Sequence, residues 1–217
     1  MAGFRTHITV SSFCGIAYGG AAVQPLGFST EAAFLAAGVT AVGGMLPDLD
    51  SDSGIPVREL FGLAAAVIPL LLVRRMMHAH MTPEAILASL LFAYILIRYG
   101  AAMVFKQFTV HRGMFHSIPA MFIAGLCVYL AYHSPDRGIR VLLACGVMLG
   151  FLSHLILDEV YSVDWRGAKP KLKASAGSSF KFGSSSLIAT ATCYLILGGL
   201  LYLAYLDYTK SGGDLGF

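Results

Sequence analysis

The stretch IRVLLACGVMLGFLSHLILD, residues 139–158, decides the fold. From Val141 to Leu152 it carries no charge, and as a helix it is long enough for a bilayer core, which takes roughly 17 to 25 residues. In lipid every backbone N–H and C=O must be satisfied within the segment, so such a run folds as a helix. The run ends in His154 and Asp158, four residues apart, which places both side chains on one helical face. Ionisable groups at the end of an apolar helix are costly and mark a functional site by default.

The rest of the chain has the same character. Of 217 residues, 57% are hydrophobic and only 12% charged, and the mean hydropathy is +0.72. Soluble domains carry roughly 25% charged residues. The composition therefore predicts an all-α, polytopic membrane helical bundle forming a single domain over 1–217.

Seven segments are expected to be helical: about 7–23, 31–46, 58–73, 84–105, 115–132, 139–157 and 187–206. Four of them span a bilayer comfortably: 84–105, although interrupted by Arg98, 115–132, 139–157 and 187–206. The segments 31–46 and 58–73 are short, so the expected number of hydrophobic helices is six to seven. The first segment is rich in Ser, Thr and Gly, which suits close helix packing.

Pro25 with Gly27 ends that first segment and Pro47 stops the second. Pro56 precedes the third, Pro83 opens the fourth, and Pro119 sits harmlessly in the first turn of the fifth. Residues 166–186 are basic and Gly/Ser-rich and read as a loop beside the membrane.

A net charge of +3, spread among loops, excludes nucleic acid as a partner and leaves membrane lipids with anionic headgroups. Cys14, Cys127, Cys145 and Cys193 lie in apolar runs without metal or disulfide spacing and read as reduced packing residues. The N-terminus imitates a secretory signal, but cleavage after the Gly19–Ala22 region would remove His7, so it is expected to be retained.

Seven alternating spans put the N-terminus and the loops after segments two, four and six on one side. That side holds most of the basic residues, among them Arg5, Arg58, Lys106, Arg112 and Lys181, so it is expected to be cytoplasmic. The same topology gathers His7, the aspartates of PDLDSD at 47–52, the segment HRGMFHS at 111–117 and the His154/Asp158 pair on one membrane face. A turn at Gly113, with Ser117 capping the next helix, lets His111 and His116 converge. Read as a non-helical segment, PDLD sends Asp48 and Asp50 to the same side.

Four histidines and at least three aspartates make a mixed nitrogen and oxygen set suited to a divalent ion, Zn²⁺, Mn²⁺ or Fe, and large enough for two. An EF-hand reading of Asp48, Asp50, Asp52 and Glu59 fails because the turn position that needs Gly is Ser53. Arg112 and Lys181 are the natural anion binders. Tyr161 and Trp165 read as interfacial belt residues.

His7, PDLD at 47–50, HRGMFHS at 111–117, HLILD at 154–158 and FKFG at 180–183 together resemble the YdjM family of bacterial inner-membrane proteins, described as membrane-bound metal-dependent hydrolases. The resemblance implies metal ligands at His7, Asp48, Asp50, His111, His116, His154 and Asp158, with Lys181 as a substrate contact. The resulting expectation is a hydrolase cleaving a phosphoester of an amphiphilic substrate at the cytoplasmic face, with Asp158 as general base and Arg112 and Lys181 on the phosphate. The alternative is a metal transporter or sensor using the same ligands. A type 2 phosphatidic acid phosphatase shares the His/Asp spacing, but its other motifs are missing.

Overall fold

The structure, a computed structural model, describes residues 3–50, 55–103, 114–132, 134–164, 171–172, 180–184 and 186–210. Each of the seven expected segments contains a helix: α1 Phe4–Val23, α2 Thr30–Gly43, α3 Ile55–His78, α4 Pro83–Ile95, α5 Ile118–Ala131, α6 Arg137–Ser162 and α7 Leu187–Lys210. The fourth continues as a π-helical stretch, Leu96–Ala101. A two-residue antiparallel ladder, β1 Val163–Asp164 with β2 Lys171–Leu172, follows α6.

Among the described residues, three helical stretches are long and apolar enough to cross a membrane: Pro83–Ala101, Arg137–Ser162 and Leu187–Lys210. Thr30–Gly43 and Ile118–Ala131 are apolar but shorter. The third segment is longer than its apolar run implied, because α3 extends from Ile55 to His78 and takes Pro56 into its first turn. The stops and starts behave as the sequence predicts elsewhere. Ser29, Thr82 and Ser117 each accept the backbone N–H three residues on, satisfying one orphan donor per helix start. Gly27 follows α1 at φ 73, a left-handed conformation that favours glycine.

The chain divides into two compact units, Met1–Asp48 with Arg112–Phe217, and Leu49–His111. The second contains the α3–α4 hairpin, in which Arg98 of the π-helical stretch donates to the Arg58 carbonyl. In the first, α6 is the central helix and packs on α1, α2 and α5, while α7 rests on α5. The buried positions of α6 include Leu143, Val147, Phe151, His154, Leu155 and Asp158, one stripe at intervals of three and four. By contrast Leu187, Ile188 and Leu195 of α7 are more than three-quarters exposed, as lipid-facing residues are.

Small residues set how closely these helices approach. A Cβ on Gly150 of α6 would collide with the Thr40 backbone of α2, and one on Gly43 of α2 would collide with the backbone of Val147. Lipid offers no hydrophobic drive for helix association, so this backbone-to-backbone contact carries the packing. Hydrogen bonds reinforce it: Ser11 Oγ donates to the Ala41 carbonyl at 3.0 Å, and the Tyr18 hydroxyl to that of Leu142 at 2.9 Å. The four cysteines are free, and Cys127 and Cys145 are exposed rather than packed between helices.

Candidate metal centre

His154 and Asp158 project from the last turns of α6 and are 1% and 3% exposed. His7, on the second turn of α1, is 2% exposed. His116 immediately precedes the Ser117 cap of α5. Asp48 is the second residue of a short 3₁₀ helix, Pro47–Asp50, that follows α2. With about three residues per turn, such a helix removes the alternation expected of an extended PDLD segment.

The close approach of α2 and α6 at Gly43 and Gly150 delivers a backbone group to the centre. His154 Nδ1–H donates to the Gly44 carbonyl at 2.7 Å. A carbonyl only accepts, so this bond fixes the tautomer and leaves the Nε2 lone pair pointing away from it. His154 Nε2 is buried and has no hydrogen-bond partner among the described residues. It stands 3.6 Å from Asp48 Oδ1 and 3.6 Å from Asp158 Oδ2. On the other side His116 Nε2 lies 3.5 Å from Asp48 Oδ1 and 3.8 Å from Asp158 Oδ2.

These separations are too long for good hydrogen bonds, yet each is short enough for the nitrogen and the oxygen to share one ion. Two donors about 3.6 Å apart subtend roughly the tetrahedral angle at an ion about 2.2 Å from each, close to the roughly 2.0–2.2 Å of zinc–nitrogen and zinc–oxygen bonds. Charge points the same way. Two carboxylates packed against imidazoles in a water-poor site are costly unless compensated, and one divalent cation neutralises both. Burial works against ionisation of Asp48, but the imidazoles of His116, His154 and His7 outweigh it and hold that carboxyl below the usual carboxylate range.

His7 stands beyond this set. Its ring stacks on that of His154, centroids 3.6 Å apart and planes 13° from parallel. Its Nε2 is 3.3 Å from Asp158 Oδ1, the oxygen that faces away from His116 and His154. The atoms of His7, His154 and Asp158 form one group able to hold an ion, and those of Asp48, His116 and His154 another. The centre is closed on the His7 side and open on the other, where the side chains of His116 and Asp48 are 13% and 21% exposed.

Five of the residues singled out from the sequence thus meet: His7, Asp48, His116, His154 and Asp158. His111, Arg112 and the Asp50 side chain lie outside the described residues. Lys181 is not part of either donor group. Its backbone pairs with Ser117 and its carbonyl accepts the Ile118 N–H at 3.2 Å, so the FKFG strand returns to the turn that carries His116. The Tyr194 hydroxyl fastens that strand through the Phe182 carbonyl, 2.9 Å away. The sequence reading missed the Gly44 carbonyl, and the Gly43–Gly44 doublet just before PDLD was the available signal.

The model of the YdjM inner membrane protein family matches residues 1–211 of the chain. No curated protein and no solved structure matches it.

Proposed function

This chain belongs to the YdjM inner membrane protein family, and from that premise we propose that it is a membrane-bound metal-dependent hydrolase acting on a phosphoester of a lipid or other amphiphilic substrate. The observation that carries the reading is the set of four donor atoms, His116 Nε2, His154 Nε2, Asp48 Oδ1 and Asp158 Oδ2, in which each imidazole nitrogen lies 3.5 to 3.8 Å from each carboxylate oxygen. Those four residues would hold one divalent ion, Zn²⁺ or Mn²⁺. His7 with the second oxygen of Asp158 would provide part of a second site, and His111 and Asp50 remain ligand candidates from the family resemblance alone.

A bound divalent ion supplies Lewis acidity, which draws the pKa of water towards about 7 and offsets charge developing on phosphate oxygens. The protein does the rest. The Gly44 carbonyl holds the His154 ring in the orientation that presents Nε2. Asp158 would hold the ion through one carboxylate oxygen and, as general base, would take a proton from water at the other, with His7 Nε2 3.3 Å from Oδ1. Arg112 and Lys181, the basic residues singled out from the sequence, would bind the phosphate and stabilise its charge in the transition state. Six to seven helices cross the inner membrane, residues 1–217 act as one functional domain, and the site faces the cytoplasm.

The test is to purify the protein in detergent, measure bound metal, and assay hydrolysis of phospholipids and lipid-linked phosphates by wild type and by His154→Ala. About one or two equivalents of metal and chelator-sensitive hydrolysis are expected for wild type, with both lost in the variant. Wild-type protein without stoichiometric metal sinks the proposal. A transporter using the same ligands is separated by metal flux into proteoliposomes. The donors cluster at helix ends on one side, whereas transport sites lie near the bilayer midplane, so no His116-dependent flux is expected.

A further inference from the structure

α6 carries a second polar group at its other end, about 21 Å along the helix from His154 at 1.5 Å per residue. Arg137 and Arg140 occupy its first turn and are each 8% exposed. No acidic residue shares that turn, and the positive pole of a helix disfavours cations. Contacts from the neighbouring helices hold them there. Arg137 Nη2 donates to the Tyr208 carbonyl at 2.9 Å and its guanidinium lies 5.0 Å from the Tyr208 ring. Arg140 Nε donates to the Tyr129 carbonyl at 3.1 Å, Arg140 Nη1 is 2.9 Å from Asp207 Oδ2, and the guanidinium sits 4.2 Å over the Tyr129 ring.

These contacts do not exhaust Arg140. A guanidinium has five N–H donors, and Arg140 uses two of them on the described residues. Arg140 lines a cavity of about 310 Å³ whose other walls are Leu130, Ser134, Pro135 and Asp207. Ser134 Oγ accepts the Asp136 N–H at 3.2 Å, which leaves its hydroxyl hydrogen to donate.

We propose that this cavity binds a phosphate-ester anion, held by the outer N–H groups of Arg140 and the Ser134 hydroxyl, with Leu130 and Pro135 against the ester's apolar part. The site is distinct from the metal centre and lies at the opposite end of the bundle. A planar guanidinium edge matches two phosphate oxygens at once, and a position at a helix end beside lipid-facing surface makes a phospholipid headgroup the natural source. Free phosphate is the other source with the same chemistry.

The experiment uses the full-length protein in neutral detergent, titrated with a short-chain phosphatidylglycerol, a short-chain phosphatidylcholine and inorganic phosphate, with binding read by native mass spectrometry and thermal shift. Wild type is compared with Arg140→Gln and with Ser134→Trp, which fills the cavity while leaving the Arg140–Asp207 pair intact. Phosphatidylglycerol is expected to bind wild type at least tenfold more tightly than either variant, with bound metal unchanged in both. Competition by inorganic phosphate assigns the site to any phosphate anion, and its failure to compete assigns it to the lipid. Equal phosphatidylglycerol affinity in wild type and folded Ser134→Trp overturns the proposal.

Discussion

His154 is held through Nδ1 by the Gly44 carbonyl, which turns Nε2 towards two carboxylates. It contributes to both donor groups, so no other side chain of the centre is as hard to replace. His154→Ala and Asp158→Asn are expected to reduce bound metal at least tenfold. His7 lies outside the four-donor set, so His7→Ala should keep most of one equivalent. Elemental analysis of the purified variants decides this, and equal loss in His7→Ala and His154→Ala contradicts the geometry. The His154/Asp158 pair was legible in the sequence, because a spacing of four fixes a shared face whatever the helix packs against. The His154–Gly44 bond was not, since it joins residues 110 positions apart.

At the scale of the helices, the α2–α6 contact tolerates no side chain at its closest point. Gly150→Ala adds a Cβ against the Thr40 backbone, and overpacking of this kind costs about 1–3 kcal/mol. Lower thermal stability and weaker metal binding are expected together, because the same contact positions Gly44. A Cβ on Gly198 of α7 meets nothing, and there Gly198→Ala should be neutral or stabilise slightly, an exposed helical Gly costing roughly 0.5–1 kcal/mol relative to Ala. Thermal unfolding of both variants in one detergent checks the contrast, and equal effects refute it.

Ser117 is a second sensitive point. Its side chain caps α5 and its backbone meets the strand of Lys181. Ser117→Ala is expected to cost about 1 kcal/mol and to raise the KM for the substrate more than it lowers kcat, because it loosens the strand rather than removing a ligand. Unchanged kinetics contradict that link. Caps and prolines of this kind were readable locally. The 3₁₀ form of PDLD was not, because short polar segments take their conformation from what they join.

For the whole molecule, metal and fold are linked through the first compact unit, where α1, the turn before α5, α6 and the turn after α2 each bring a donor residue to the candidate centre. An ion that binds only the folded state stabilises it by about 4 kcal/mol at 1,000 times its Kd. Chelation should therefore lower Tm and raise hydrogen exchange around 40–48, 114–118 and 150–160, while exchange in the α3–α4 hairpin changes little. Uniform deprotection across both units argues against this centre.

Composition and hydrophobic runs by themselves determined an all-helical membrane protein and the seven helical segments, because the cost of unpaired backbone groups in lipid leaves a long apolar run no alternative to the helix. Short motifs, read as resembling a known family, also pointed to the ligand candidates. Only the tertiary structure decided which candidates share a centre, how far apart their donor atoms stand, and which ring nitrogen of His154 faces them. Those depend on helix approach at Gly43 and Gly150, set by contacts between residues more than a hundred positions apart, and no local pattern encodes them.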